Sequence, residues 1–394
     1  MRALLHRPAA ADTALPVIGA NASAETLALF RYLRWLKGRP EIIWGVSDRH
    51  DVQAPMGALK GSRAAFTTQT GRVPVILQLE YHDSDWVTGY TDVGYGLPSA
   101  GPATVAAEIS AALTAGVKAI AVNAHMGNPA TGALSRQGQD GVQDGRAGYQ
   151  NDRSGSPMAS IKSVGGAQYA QFTAWLDRFY DWASALVFPA GHAHAGARVP
   201  IILRLFHECS GASFCWAGTD RAADHKTVWQ EAVAYLKAKS PALTNVLFAQ
   251  HFDSVDSAAL ASWTSWYPGA SYIDVISWSR YNDGTGPVGL NDAGTLMDQA
   301  YANAQALDST KIYAVMETGY ANDNTADLWS TRVGDVAVSR YPMLSFYCTW
   351  RPASITDLTT VKWGPGSADS AARKASAAAA VRNANIITAE RCLL

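Results

Sequence analysis

The chain has 394 residues, 48% of them apolar and 16% charged, and its 32 basic residues meet 33 acidic ones for a formal net charge of −1. That balance gives no basic field to attract nucleic acid, and no apolar run reaches the roughly 20 residues needed to cross a bilayer. Four cysteines, Cys209, Cys215, Cys348 and Cys392, are too few for a disulfide scaffold and lack zinc-type spacing; Cys209 and Cys215 read either as a bridge or as two buried thiols.

In chain order, residues 1–16 carry two arginines but no apolar stretch of signal-peptide length. A first helix is expected over Ala22–Lys37, with Leu27, Phe30, Leu33 and Leu36 on one face. Apolar, strand-like runs follow at Ile42–Val46, Val73–Leu79, Val117–Val122, Val199–Phe206, Asn245–Ala249, Ile273–Trp278, Ile312–Met316 and Met343–Tyr347. Between them lie amphipathic stretches at Pro102–Ala115, Tyr169–Leu186, Val228–Lys239, Ser257–Trp266, Ala293–Ala306 and Ala326–Val338, and an alanine-rich helix over Ser370–Asn383 closes the series. Strand alternating with helix implies parallel strands joined by right-handed crossovers. Eight such units imply one α/β domain over 1–394, a closed (β/α)₈ TIM barrel; an open doubly wound sheet is the alternative, and no glycine fingerprint follows the first strand to support it. The polar stretch from Met126 to about Gln168 is expected to be a long loop after strand 3, walling the face where the strands end.

Two strands finish in a bare carboxylate. Val199-Pro200-Ile201-Ile202-Leu203-Arg204-Leu205-Phe206-His207-Glu208 runs from a buried apolar segment into charge, and Lys311-Ile312-Tyr313-Ala314-Val315-Met316-Glu317 repeats the pattern. A carboxylate at the tip of a buried strand is costly to desolvate; the plainer reading of Glu208 is an ion pair with Arg204 or a loop cap. Two such glutamates are what cleavage of a glycosidic bond requires. The other strand ends are also polar: Asp48 and His50, Glu80-Tyr81-His82, Asn123-Ala124-His125, Gln250-His251, Ser277 to Tyr281, and Trp350-Arg351. His192-Ala193-His194 has the spacing of a metal pair without a nearby carboxylate and reads better as an exposed loop, and no Gly-x-Ser-x-Gly elbow supports a serine hydrolase. No cofactor or metal is called for.

His207-Glu208 with Gly211 and Phe214-Cys215-Trp216-Ala217-Gly218 resembles the acid/base motif of glycoside hydrolase family 26, the β-mannanase family. In order along the chain, Asn123-Ala124-His125-Met126-Gly127-Asn128-Pro129, Ser277-Trp278-Ser279-Arg280-Tyr281, Met316-Glu317-Thr318-Gly319 and Thr349-Trp350-Arg351 are similar to further motifs of that family. The resemblance implies a retaining hydrolase of a β-linked polysaccharide, an endo-β-1,4-mannanase first of all. Glu208 would be the acid/base and Glu317 the nucleophile, their carboxyl groups roughly 5–5.5 Å apart. His207 would steady the acid or the sugar, Tyr281 would hydrogen-bond Glu317, and His125, Phe214, Trp216, Trp350 and Arg351 would line the substrate. It further implies a polysaccharide or oligosaccharide as partner, a monomer, and secretion.

The family's Trp-Phe-Trp-Trp-Gly run has lost two tryptophans here, and Cys209 stands where an asparagine is often found. One lost stacking ring weakens leaving-group binding by about a kilocalorie per mole. Another β-glycan (β-1,3- or β-1,4-glucan, or xylan) and a non-catalytic carbohydrate-binding barrel are the alternatives.

Overall fold

A computed structural model describes residues 12–48, 62–83, 103–126, 128–130, 154–211, 214–254, 257–282, 296–320, 338–349, 375 and 378–394. Eight strands form the frame: β1 Ile42–Asp48, β2 Ile76–Asp83, β3 Ala119–Met126, β4 Ile201–Arg204, β5 Val246–Phe252, β6 Val275–Asn282, β7 Ile312–Tyr320 and β8 Leu344–Thr349. Each pairs in parallel with the next, and β8 pairs with β1, so the sheet closes on itself as the expected (β/α)₈ barrel.

The alternation of side chains along each strand separates two apolar layers. Ile43, Ile76, Ala119, Ala121, Ile202, Leu247, Ala249, Val275, Ile312, Ala314, Met316, Phe346 and Cys348 fall in one buried cluster, the barrel interior. Their neighbours Ile42, Trp44, Leu77, Ile120, Leu203, Phe248, Ile276, Trp278, Tyr313 and Tyr347 fall in the other, which the helices cover. The interior narrows around β1. A methyl group on Gly45 would stand 2.6 Å from the Cys348 sulfur and 3.1 Å from Ile76 Cβ, so only glycine lets β8, β1 and β2 approach there.

The helices include α1 Ala24–Leu36, α2 Ser62–Thr70, α3 Ala103–Ala115, α4 Pro157–Ser160, α5 Tyr169–Ala185, α6 Ala222–Lys237, α7 Ser257–Ala261, α8 Trp263–Trp266 and α9 Leu296–Leu307. Ser23 caps α1 by accepting from the Thr26 amide at 3.2 Å, a contact worth about 1 kcal/mol. The stretch expected as one helix over Ser257–Trp266 is two short ones, α7 and α8, with Ser262 between them. Helix α2 was not anticipated, nor was a two-residue strand, β9 (Ile386–Ile387), which pairs with β1 at Ile42 and Ile43, below the level where β2 begins. Helix expected over Ala326–Val338 lies outside the described residues save Val338, and most of that expected over Ser370–Asn383 does too.

Strand β4 stops at Arg204, two residues short of its expected end. Leu205 and Phe206 bend, and His207–Ser210 form a turn in which Glu208 takes φ 51°. Of the long segment after β3, Asn128 and Ser154 are held together, the Asn128 side-chain amide donating to the Ser154 carbonyl at 3.1 Å. All four cysteines are free and buried, so Cys209 and Cys215 do not bridge. No helix among the described residues is long and apolar enough to cross a membrane.

Candidate active site

The interior side chains change from apolar to polar towards the C-terminal ends of the strands. Gln78, Asn123, Arg204, His251, Ser277 and Ser279 continue the inward positions of β2 to β6, and all are buried. Strand β7 joins them by an irregularity. Ala314 and Met316 point inward, so strict alternation would turn residue 317 outward to the helices. The register instead shifts between Trp278 and Ser279, pairing Val315 with Trp278 and Glu317 with Ser279. A bulge of this kind re-aims a side chain, and here it turns Glu317 to the interior, where it is 3% exposed.

Arg204 meets it there. Arg204 Nη1 lies 2.7 Å from Glu317 Oε1, and the guanidinium is fully buried. With the Gln78 amide oriented to satisfy its neighbours, Gln78 accepts from Arg204 Nη2 at 2.7 Å and donates to the Met316 carbonyl at 2.9 Å. The pairing of Arg204 with Glu208 that the sequence allowed is therefore replaced by one with Glu317.

Glu208 arrives from the other side. The left-handed backbone of a non-glycine residue costs on the order of 1–2 kcal/mol, and it carries the carboxyl back over the barrel mouth. Ser279 Oγ donates to Glu208 Oε1 at 2.5 Å. Burial raises the Glu208 pKa well above the ordinary carboxylate range; Asp253 and Glu317 add to the rise, and the Ser279 bond and the Arg204 charge oppose it. Ser279 thus bonds one glutamate through its side chain and pairs with the other through its backbone, which brings both to one end of the barrel.

The turn itself is braced. The Cys209 amide donates to the His251 carbonyl at 3.2 Å. Ser210 Oγ donates to the Asp253 carbonyl and accepts from the Asp253 amide at 3.1 and 3.0 Å. A Cβ on Gly211 would fall 2.2 Å from Asp253 Oδ2, so the turn needs glycine there. Trp216 Nε1 donates to the His207 carbonyl at 2.7 Å. His207 is buried, its ring 4.2 Å from that of Phe214, and Phe214 stacks on Trp216 at 4.7 Å. Phe214 and Trp216 are 7% and 1% exposed, so both rings lie against protein behind the turn.

Among the remaining expected site residues, the backbones of His125 and Tyr281 lie at the ends of β3 and β6, paired with His82 and Gly319. Trp350 and Arg351 lie outside the described residues. His192 stacks on Phe188 at 4.3 Å, His194 Nδ1 lies 3.6 Å from Glu25, and no group of three ligating side chains occurs among the described residues. Reasoning from sequence gathered His251 and Ser279 only as polar strand ends, named Arg204 only as a partner for Glu208, and missed Asp253. The signal that could have found them is the inward parity of each strand, carried one or two inward positions past its last inward apolar residue, Ile202, Ala249 or Val275.

Comparison with known proteins agrees with this architecture. The model of glycosyl hydrolase family 26 matches residues 18–328. Among solved structures, the chain is similar to the catalytic domain of a family 26 endo-β-1,4-mannanase from Bacillus sp. JAMB-750, with 20% identity, 96% of this chain and 95% of that one covered, and a TM-score of 0.73. It is likewise similar to a β-mannanase from Bacteroides ovatus (21% identity, 93% and 96% covered, TM-score 0.68). A third likeness is to a double mutant of an endo-β-1,4-mannanase from Cellulomonas fimi (21% identity, 96% and 78% covered, TM-score 0.67). At such identities the structural likeness speaks for the fold.

Proposed function

The chain belongs to glycosyl hydrolase family 26, and we propose that it is a secreted, single-domain endo-β-1,4-mannanase that works by double displacement, with Glu208 as acid/base and Glu317 as nucleophile. The observation that carries this reading is Ser279, hydrogen-bonded to Glu208 and register partner of Glu317. Two carboxyl groups with opposed environments divide the labour of a retaining glycosidase. Glu208 has a raised pKa, so it holds a proton to give to the leaving oxygen. Glu317 is paired with a permanent cation, which suits a nucleophile that must stay ionised. After the first step Glu208, now without its proton, takes one from water and frees the sugar.

Mannan as the substrate is supported by the ordered motifs and by the mannanases among the structural neighbours. His125, Tyr281, Trp350 and Arg351 are assigned to the sugar side. His207, Phe214 and Trp216 are assigned to the Glu208 turn, which they pack behind.

Reducing-sugar release from a panel of β-mannan, β-1,4-glucan, β-1,3-glucan and xylan tests the reading. Mannan should be hydrolysed by the wild type and by neither Glu208→Ala nor Glu317→Ala. Preference for glucan or xylan would change the substrate alone. Binding of a glycan with equal silence from all three proteins would remove the hydrolase reading.

A further inference from the structure

The bulge that turns Glu317 inward leaves one residue of β7 over. Val315 pairs with Trp278 on β6 and with Tyr347 on β8. The next pairs are Glu317 with Ser279 and Thr318 with Thr349, so Met316 is skipped on both sides. A residue left out of the pairing needs partners for its backbone from elsewhere. Gln78 provides one. It stands on β2, which pairs with β1 and β3 and not with β7, and its fully buried side chain reaches β7 through the barrel interior. Its amide nitrogen donates to the Met316 carbonyl at 2.9 Å, and its oxygen accepts from Arg204 Nη2 at 2.7 Å and from Ser47 Oγ at 3.2 Å. The opposite orientation would set oxygen against acceptors and nitrogen against donors, so the two surroundings decide which way the amide faces.

We infer that Gln78 is a positioning residue for the nucleophile, pinning with one side chain both the peptide bond that leads into Glu317 and the guanidinium that faces its carboxylate. The Met316 carbonyl belongs to that peptide bond, so holding it sets where the Glu317 side chain starts. Arg204 Nη1 lies 2.7 Å from Glu317 Oε1, so holding Nη2 sets where the carboxylate ends. Displacing either end shifts the attacking oxygen from its line to the sugar, and small shifts there are costly. A neutral amide suits the task. An apolar side chain would leave the Met316 carbonyl and Arg204 Nη2 without these bonds, and a carboxylate would draw the guanidinium away from Glu317. Gln78 itself gives and takes no proton. The inference rests on Glu317 being the nucleophile.

The test isolates the attack of Glu317 from binding and from acid catalysis. A 2-deoxy-2-fluoro-β-mannosyl fluoride reports attack as the rate constant of inactivation and binding as the inhibition constant. Gln78→Met, similar in volume and unable to make either bond, should inactivate about tenfold more slowly with an unchanged inhibition constant. It should lose equally on a 2,4-dinitrophenyl β-mannoside, whose leaving group needs no acid, and on an unactivated oligosaccharide, because the defect lies at the nucleophile. Gln78→Glu fills the same space and keeps an acceptor for Arg204, so it serves where the methionine variant does not fold. Inactivation should slow at least as far in Gln78→Glu. The acid limb of its dinitrophenyl hydrolysis should move to higher pH, since Glu317 then shares its cation and lies near a like charge. Glu208, His251 and Cys348, the titratable groups that face this ion pair among the described residues, are the same in both proteins. Thermal melts show which variants are folded. Wild-type inactivation rates in the folded variants, with an unmoved acid limb, overturn the positioning role, as does a loss confined to the unactivated oligosaccharide. A wild type that takes the label on another residue, or takes none, would instead sink the nucleophile assignment beneath the inference, a failure visible without any Gln78 variant.

Discussion

Arg204 and Glu317 form an ion pair at 2.7 Å inside the barrel, the guanidinium sealed from solvent and the carboxylate nearly so. Both charges were taken out of water to make it, and each is tolerable only beside the other. The pair therefore ties the interior of the fold to the chemistry at its mouth. Arg204→Met should destabilise the protein by about 3–5 kcal/mol, because a buried carboxylate is left without its cation. Adding Glu317→Leu should recover most of that loss, although neither variant will turn over substrate. Chemical denaturation of the two single variants and the double variant measures the coupling.

The turn that holds Glu208 should be more sensitive than its exposure suggests. Gly211→Ala drives a methyl group into the buried Asp253 carboxylate, and Asp253 grips Ser210 in the same turn. Catalytic efficiency is expected to fall about a hundredfold, since small displacements of an acid are costly. The unfolding transition should remain cooperative; steady-state kinetics beside circular dichroism check both halves.

Stability is given up at this site. Glu208 combines a left-handed backbone with a carboxyl buried near Asp253 and Glu317. Glu208→Gln removes the cost of protonating this carboxyl on folding, and Glu208→Gly relieves the backbone. Each inactive variant should unfold later than the wild type, by about 1 kcal/mol, as read in denaturant midpoints.

The barrel was legible in the sequence because parallel strands covered on both faces read as unbroken apolar runs, and all eight were found. Helix α2 was not, because Ser62-Arg63-Ala64-Ala65-Phe66-Thr67-Thr68-Gln69-Thr70 buries only Ala65 and Phe66 of its described side chains, too few to set a period. Strand β9 is two residues long, below what any pattern can register. At the site, the two carboxylates stood out as charges after apolar runs. The bulge that turns Glu317 inward left no mark, because Val315-Met316-Glu317 reads alike with or without it. Arg204 was visible but its partner was not: only the closed barrel shows that β4 faces β7 across the interior.

Acid should weaken the fold through one residue away from the site. His225 is buried among Phe206, Trp229 and Trp266, and neither ring nitrogen has a hydrogen-bond partner among the described residues. Burial first, and Lys226 second, depress its pKa to about 3. The unfolded chain takes up this proton near pH 6.5 while the folded one refuses it. Stability is therefore full above about pH 6.5 and falls as pH drops towards 3, by about 1.4 kcal/mol per unit. His225→Leu should remove this slope, narrowing the difference in unfolding free energy between pH 7 and pH 4.5 by about 2–3 kcal/mol.

The central claim, that Glu317 attacks the sugar while Glu208 supplies the proton, is tested most directly by trapping the intermediate. Incubation with a 2-deoxy-2-fluoro-β-mannosyl fluoride extended by one mannose should arrest the enzyme after the first step, and mass spectrometry of its peptides should find the sugar on Glu317. A stable adduct on any other residue, or substrate turnover with inverted anomeric configuration and no adduct at all, would contradict the account.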